Sequence, residues 1–205
     1  MLNRFYFFFF IVFYSSSVYS QNKDAFVLFE EEKYSVSQQL FISDFENSHF
    51  TNDEYLYHIA KCSDEIKNED AKWWYQKLLN DFPNSDYLEM AKKDLAFISF
   101  TEKNYPETQK YLINLKEEDL KDDEYYFKLA YSLFEIEQFN DSKFYFSKIK
   151  NHQNKYKSLA TYYYAHISYK QELYKTSLSH FEKLTSDKNF GTIVPYYISQ
   201  IYFYQ

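Results

Sequence analysis

Apolar residues recur along this chain at intervals of three and four positions, in segments that are separated by short polar connectors. This period places the apolar side chains on one face of an α-helix. The pattern predicts helices of two alternating kinds, which we call helix A and helix B. The predicted A helices lie near 23–31, 53–65, 86–102, 122–137, 156–171 and 193–205. The predicted B helices lie near 34–45, 69–81, 106–116, 140–150 and 174–185.

The two kinds of helix form a repeat of about 35 residues, which is clearest between Tyr126 and Leu184. A small residue recurs in the A helices at Ala25, Ala60, Ala96, Ala130, Ala165 and Ser199, with spacings of 35, 36, 34, 35 and 34. A second small residue recurs in the B helices at Ser37, Ala71, Thr108, Ser142 and Ser177. A fixed period of this length predicts a stack of helical hairpins, in which each hairpin packs only against its neighbours.

The residues around these positions resemble the tetratricopeptide repeat (TPR) family. The family's aromatic residue at the turn between the helices is matched by Tyr34, Tyr105, Phe139 and Tyr174. Its large apolar residue in helix B is matched by Phe41, Tyr75, Phe146 and Phe181. Pro83 lies where the family's closing proline lies, whereas Asn68 replaces the aromatic residue at the second turn. The resemblance covers about residues 22 to 205 and implies an all-α TPR solenoid, a right-handed superhelix of five hairpins plus one unpaired helix.

Two short segments of the sequence indicate a more specific resemblance. The segments 158–167 and 193–198 are similar to the N-terminal part of large exported TPR proteins of the Bacteroidetes type. This similarity implies a protein of the bacterial cell envelope.

Residues 1–20 have the features of a secretory signal peptide. Arg4 is followed by an apolar run from Phe5 to Tyr14, which is too short to span a membrane comfortably, and Ser20 ends a small-x-small cleavage context. We expect cleavage before Gln21, with retention as an anchor as the alternative. The protein is therefore expected in the periplasm, or at the outer membrane, of a Gram-negative bacterium. The TPR solenoid is expected to occupy 21–205, with repeats near 22–50, 53–83, 86–118, 122–153 and 156–188 and a partial repeat at 193–205.

The composition favours a helical protein that does not bind nucleic acid. Aromatic residues make up 23% of the chain and glycine occurs once, which suits helices joined by short turns and not barrels or sandwiches. The formal net charge is −7, and Arg4 is the only arginine. Proteins that bind nucleic acid depend on basic surfaces and arginine forks. We therefore expect no nucleic-acid partner.

The sequence carries no motif of an enzyme. It lacks a glycine-rich phosphate loop, a nucleophile elbow and a zinc-protease histidine pair. The nearest approach to a metal site is Glu54, His58 and Cys62, which share one helix face but have no fourth ligand. We interpret them as surface polar residues plus a lone thiol. The sequence predicts no catalytic residue, no cofactor and no metal.

The resemblance also suggests a binding surface. In TPR proteins the concave groove is lined by helix A, mainly at positions three before, one after and four after its small residue. The candidate groove residues are Phe97, Phe100, Phe127, Tyr131, Phe134, Tyr162, His166, Tyr169, Tyr196 and Gln200. Lys93 and Phe203 occupy equivalent positions, as do Tyr57, Lys61 and Asp64 in the second repeat. The alternative is that curvature of the solenoid buries these rings as ordinary core.

These observations predict a non-enzymatic, exported scaffold that binds a protein or peptide partner. The alternatives are a module that binds glycan or peptidoglycan, and a structural spacer of a larger envelope protein. The predicted helix 193–205 is almost wholly apolar and aromatic, unlike the polar capping unit that normally ends a solenoid. We expect either that the chain continues beyond Gln205 or that another chain covers this helix, for example a second copy in a homo-oligomer.

Overall fold

A computed structural model of the chain describes residues 24–116, 118 and 121–205, so the predicted signal peptide lies outside the described residues. The described part contains α-helices and short 3-10 turns but no strand. The helices are α1 Ala25–Glu30, α2 Tyr34–Asn47, α3 Asp53–Glu65, α4 Ala71–Asp81, α5 Leu88–Thr101, α6 Tyr105–Leu112, α7 Asp123–Glu135, α8 Phe139–Ile149, α9 Lys157–Lys170, α10 Tyr174–Phe181 and α11 Val194–Tyr204. A 3-10 helix, Glu182–Leu184, follows α10.

The helices stack in chain order. Each helix contacts the next one along the chain, and α5 also contacts α7. The odd-numbered helices are the A helices and the even-numbered helices are the B helices. The described residues therefore form five helical hairpins followed by one unpaired helix, which confirms the predicted all-α solenoid.

The small residues lie where helices A and B of one hairpin approach closely. In the four central repeats, Ala60, Ala96, Ala130 and Ala165 are fully buried. In three repeats the serine hydroxyl of helix B donates a hydrogen bond to the carbonyl of the alanine in helix A. The Oγ–O distances are 2.8 Å for Ser37 and Ala25, 2.8 Å for Ser142 and Ala130, and 2.9 Å for Ser177 and Ala165. This bond satisfies a buried hydroxyl and fixes the register of the two helices.

Each of the first five A helices ends in a left-handed residue. These residues are Glu32, Lys67, Lys103, Glu137 and Glu172, with φ between 57° and 62°. The N–H of the next residue bonds to a carbonyl five positions earlier, as from Gln138 to Leu133 at 2.8 Å. This is the Schellman arrangement that closes a helix, and glycine usually occupies the left-handed position. Here glutamate and lysine occupy it, so the turns carry a backbone cost at every repeat.

The large apolar residues of the B helices form the centre of the core. Phe41, Tyr75, Phe146 and Phe181 are fully buried, as their match to the TPR pattern predicts. They lie between the helices of their own hairpin and helix A of the next repeat, so each core cluster joins neighbouring hairpins. Among the described helices, none has the length and apolar character needed to cross a membrane.

Candidate binding surface

The structure brings the predicted groove residues together on one surface. Aromatic rings from α5, α7, α9 and α11 form a continuous series, which we call the A-helix face. Neighbouring ring centroids are 5.7 Å apart for Phe100 and Tyr131, 6.5 Å for Tyr131 and Phe134, 5.9 Å for Phe134 and His166, 5.9 Å for His166 and Tyr162, 5.3 Å for His166 and Tyr197, and 5.4 Å for Tyr197 and Tyr169. Phe127 contacts Tyr131 at 6.0 Å, and Tyr196 contacts Tyr197 at 5.5 Å.

The remaining predicted residues lie beside this series. Phe97 is linked to Phe100 through Lys128, whose Nζ lies 4.2 Å from the first ring centroid and 4.9 Å from the second. Gln200 is half-buried on α11 and adds no ring contact. Ring pairs at these distances stabilise the contact between neighbouring helices.

The position three before the small residue is covered by the next repeat. Each of these residues pairs with the segment that leads into the following A helix. The contacts are Tyr57 on Tyr87 at 5.1 Å, the Lys93 ammonium with the Asp122 carboxylate at 2.7 Å, Phe127 on Tyr156 at 4.7 Å, and Tyr162 on Phe190 at 4.5 Å. Three of the four pairs are stacked rings. This column therefore packs repeat against repeat.

A further position, which the sequence analysis did not single out, reaches back onto the preceding repeat. It lies two residues before the small residue of each A helix, and we call its members the insert residues. They are His58, Asp94, Lys128, Tyr163 and Tyr197, with spacings of 36, 34, 35 and 34. Their spacing follows the repeat, but their chemistry differs at each step, so no residue pattern marks them.

Each insert residue matches the chemistry of the repeat that it contacts. His58 packs edge-on against Phe26 and Phe29, with ring centroids 5.0 Å and 5.1 Å away. Tyr163 lies edge-on to Tyr131 at 5.2 Å and to Phe134 at 4.9 Å. The interfaces between repeats are therefore not interchangeable.

The insert residues at the third and sixth repeats extend this series. The Asp94 carboxylate lies 3.4 Å from the Lys61 ammonium and accepts a hydrogen bond from Tyr57 at 3.3 Å. Tyr197 lies between three rings of α9, those of Tyr162, His166 and Tyr169. In the second repeat the contacts are therefore polar and charged, through Tyr57 and Lys61, whereas in the later repeats they are mainly between aromatic rings.

Exposure along the A-helix face increases toward its C-terminal end. Phe127 is only 9% exposed, and most of the other predicted residues are half-buried. On α11, by contrast, Tyr196 is 62% and Phe203 is 82% exposed. These two residues occupy positions that the next repeat covers elsewhere. The face is therefore part repeat packing and part open surface, and α11 offers its largest open aromatic area.

The central part of the A-helix face is uncharged near neutral pH. Burial raises the pKa of the Tyr131 phenol, and contacts with Glu135 and Tyr163 raise it further. Burial and the Tyr197 hydroxyl likewise raise the pKa of Tyr162. Burial lowers the pKa of His166, whose Nδ1 has no hydrogen-bond partner in the described structure. Such a surface can stack on rings, cover apolar groups and exchange hydrogen bonds.

The candidate metal residues of α3 do not form a ligand set. His58 packs among aromatic rings, and its Nδ1 lies 2.8 Å from the carbonyl of Glu54. Cys62 is fully buried, and its Sγ lies 3.8 Å from the Ser37 hydroxyl. Burial raises the pKa of the Cys62 thiol to about 11, which keeps it protonated. Cys62 is thus a core residue and not a surface thiol, and His58 is half-buried among aromatic rings. The described residues hold no cluster of three potential metal ligands.

Comparison with solved structures agrees with this architecture. No family model and no curated protein matches the chain, so its resemblance to exported Bacteroidetes proteins stays an expectation. MamA of strain AMB-1 superposes with a TM-score of 0.66 at 14% identity, over 80% of this chain and 88% of that chain. A MamA from Desulfovibrio magneticus RS-1 gives a TM-score of 0.60 at 15% identity, over 78% of this chain and 89% of that chain.

A third similar structure comes from a different protein. PilF of Pseudomonas aeruginosa gives a TM-score of 0.53 at 14% identity, over 77% of this chain and 70% of that chain. Both MamA and PilF are TPR-like helical repeat structures. At these identities the likeness concerns the fold alone. The chain is therefore an all-α helical repeat protein with the TPR fold.

Proposed function

We propose that this protein is an exported, non-enzymatic scaffold that binds a protein partner in the cell envelope through the A-helix face. The observation that carries this proposal is the continuous series of neutral, partly exposed rings from Phe100 to Tyr197, which four successive A helices present on one surface. Large exposed aromatic areas mark interaction surfaces. Helices that are already ordered also lose little conformational entropy when a partner docks.

Export is the first part of the proposal to test. When the full chain is expressed in a Gram-negative host, we expect the protein in the periplasmic fraction with Gln21 as its new N-terminus. The measurement is intact mass together with N-terminal sequencing of the fractionated protein. Replacing an apolar residue of the run, such as Phe9, with aspartate should leave the protein unprocessed, because a charge in that run opposes recognition of a signal peptide. A cytoplasmic wild-type protein would overturn the envelope location.

Partner binding is tested best on α11, where a substitution leaves the core intact. A photo-crosslinking amino acid at the position of Tyr196 should capture a partner in cells, whereas the same group at Phe144 should not. Phe144 is a suitable control because it is 53% exposed but lies on the B helix α8. With the captured partner purified, Tyr196→Ser should weaken binding about tenfold, as truncation of a central aromatic contact does.

The outcomes separate the candidate functions. A protein captured at Tyr196 whose affinity Tyr196→Ser lowers supports the scaffold. Binding of a soluble peptidoglycan fragment that depends on Tyr131 and Tyr162 would instead support a glycan-binding module. Equal capture at Tyr196 and Phe144 would leave the A-helix face without a role and favour a spacer. Crosslinks that join two copies of this chain would identify α11 as a homo-oligomer contact.

A further inference from the structure

A second candidate site lies away from the A-helix face, in a cleft between α8, α9 and α10. The cleft has a volume of about 520 Å³ and is open to solvent. Lys150 follows the end of α8, Lys157 begins α9, and His180 and Lys183 come from α10 and the 3-10 helix after it. Four basic side chains from four successive helical elements therefore surround one space.

Among the described residues, the lysines of this cleft have no carboxylate partner. Within the described residues, no carboxylate oxygen lies within 4.0 Å of the ammonium of Lys150, Lys157 or Lys183. Asp187 also lines the cleft, but its carboxylate accepts hydrogen bonds from the Ser158 hydroxyl at 2.6 Å and from the backbone N–H of Asn189 at 2.8 Å. The positive charge of the cleft thus exceeds what its own acid can neutralise.

The cleft lies in a basic part of an acidic protein. Residues 139–205 contain nine lysines and four acidic residues, a net charge of +5. Residues 24–138 contain twelve lysines and 26 acidic residues, a net charge of −14. The overall charge of −7 therefore conceals a strongly polarised chain.

The equivalent cleft of an earlier repeat shows that this charge is not required by the fold. A cleft of about 520 Å³ lies at the same place between α4, α5 and α6, and Lys92 and Lys110 line it. There Glu89 pairs with Lys92 at 2.6 Å. Glu89 lies seven residues before the small residue Ala96, and the residue at this place in the fifth repeat is Ser158. The acid that pairs with a lysine of the earlier cleft is thus replaced by a serine in the later one.

Charge repulsion inside the later cleft supports a role for an added anion. Burial and the nearby Lys183 lower the pKa of Lys150. Burial lowers the pKa of His180 despite a bond to the Thr176 carbonyl, and the charges of Lys183, Lys150 and Lys143 lower it further. An anion between these groups would relieve the repulsion.

We propose that this cleft is a docking site for an acidic peptide segment of a protein partner, whose carboxylates bind between Lys150, Lys157 and Lys183. Separate ammonium groups around an open cleft suit several carboxylates along an extended chain. Phosphate is more often held by arginine forks and main-chain N–H groups, and the described residues contain no arginine.

The test uses a fluorescein-labelled hexaglutamate peptide and the processed protein, with binding followed by fluorescence anisotropy at low ionic strength. Lys150→Gln combined with Lys183→Gln should weaken binding about tenfold, because two partly exposed charges are removed. The matched control, Lys92→Gln with Lys110→Gln, removes the same charge from the equivalent cleft and should change the affinity by less than about twofold. Circular dichroism should show both variants fully folded.

A second measurement, the pKa of His180, shows whether the peptide binds in the cleft itself. Bound peptide should raise the pKa of His180, measured from its imidazole NMR signals, because the carboxylates offset the charges of Lys143, Lys150 and Lys183 that face it. An unchanged pKa of His180, absent binding, or equal weakening in both double variants would overturn the proposal. So would stronger binding to inorganic phosphate, or to phosphatidylglycerol vesicles, than to the peptide.

This proposal and the role of the A-helix face can fail separately. Tyr196 lies on α11 and does not line the cleft. Tyr196→Ser should therefore bind the hexaglutamate peptide with unchanged affinity. A loss of peptide binding in that variant would contradict the assignment of the peptide to the cleft.

Discussion

Phe146→Ala should lower the free energy of unfolding by about 3–5 kcal/mol, the range for truncating a buried phenylalanine. Phe146 is fully buried, stacks on Tyr163 with ring centroids 5.4 Å apart, and lies 6.2 Å from Phe127. It belongs to α8, whereas Tyr163 belongs to α9, so its loss weakens both the fourth hairpin and its contact with the fifth. Urea unfolding followed by circular dichroism measures the change.

Phe144→Ala is the matched control for this prediction. It removes the same side chain from the same helix, but Phe144 is 53% exposed and its ring contacts Lys148 and Tyr145 of its own helix. We expect a loss of less than about 1 kcal/mol. In a solenoid the stability of a repeat depends on its neighbours, so hydrogen exchange in Phe146→Ala should accelerate most in α7, α8 and α9. Equal losses in the two variants would show that Phe146 does not hold the two hairpins together.

The helices were predictable because the repeat supplies several independent markers for each one. The small residue, the turn aromatic and the large apolar residue recur together, and the predicted helices begin and end within four residues of those in the structure. The largest differences occur at B-helix ends. The predicted helix 106–116 ends at Leu112, and the N–H of Lys116 instead bonds to the side chain of Glu89 at 2.7 Å. A contact 27 residues away along the chain leaves no local pattern.

The left-handed turns were not predictable from residue type. Glycine would mark such a position in most sequences, but the only glycine of this chain is Gly191, which has no positive φ. Glu137 and Lys103 adopt the left-handed conformation because the Schellman hydrogen bonds and the packed hairpin offset its cost. The sequence therefore gives the place of the turn but not its backbone geometry.

The A-helix face was predictable in position but not in exposure. The resemblance to TPR proteins predicted a set of groove residues, and these residues lie together on one surface of the structure. They do so because the repeat register determines the face of the helix on which each residue lies. Exposure depends instead on what the next repeat presents. Phe127 is covered by Tyr156, whereas the equivalent Tyr196 on α11 is open. The contacts of the insert residues were likewise not predictable. Asp94, Lys128 and Tyr163 occupy the same position in their repeats, but one is acidic, one is basic and one is aromatic.

Asp94→Ala should lower the free energy of unfolding by about 2–3 kcal/mol, because it leaves buried donors without an acceptor. The Asp94 carboxylate accepts hydrogen bonds from the hydroxyls of Tyr75 at 3.0 Å and Tyr57 at 3.3 Å, and it pairs with Lys61 at 3.4 Å. Tyr75 is fully buried, so its hydroxyl cannot turn to water. Urea unfolding measures the loss. Glu65→Ala is the control, since Glu65 also pairs with Lys61, at 3.7 Å, but its side chain is 39% exposed; we expect a change below about 0.5 kcal/mol.

Asp94→Asn separates the hydrogen bonds from the charge. Burial raises the pKa of Asp94, an effect that Lys61 and Tyr75 only partly offset. The stability that comes from the neutral carboxyl is therefore full below the pKa of the unfolded chain and is lost as pH rises through the higher pKa of the folded protein. Asparagine keeps an acceptor and does not ionise, so the cost of Asp94→Asn should be smaller than that of Asp94→Ala and should shrink as pH rises from acidic values to neutrality. A cost that grows over this range would show that the ion pair with Lys61, and not the hydrogen bonds of the two tyrosines, stabilises this contact between the second and third repeats.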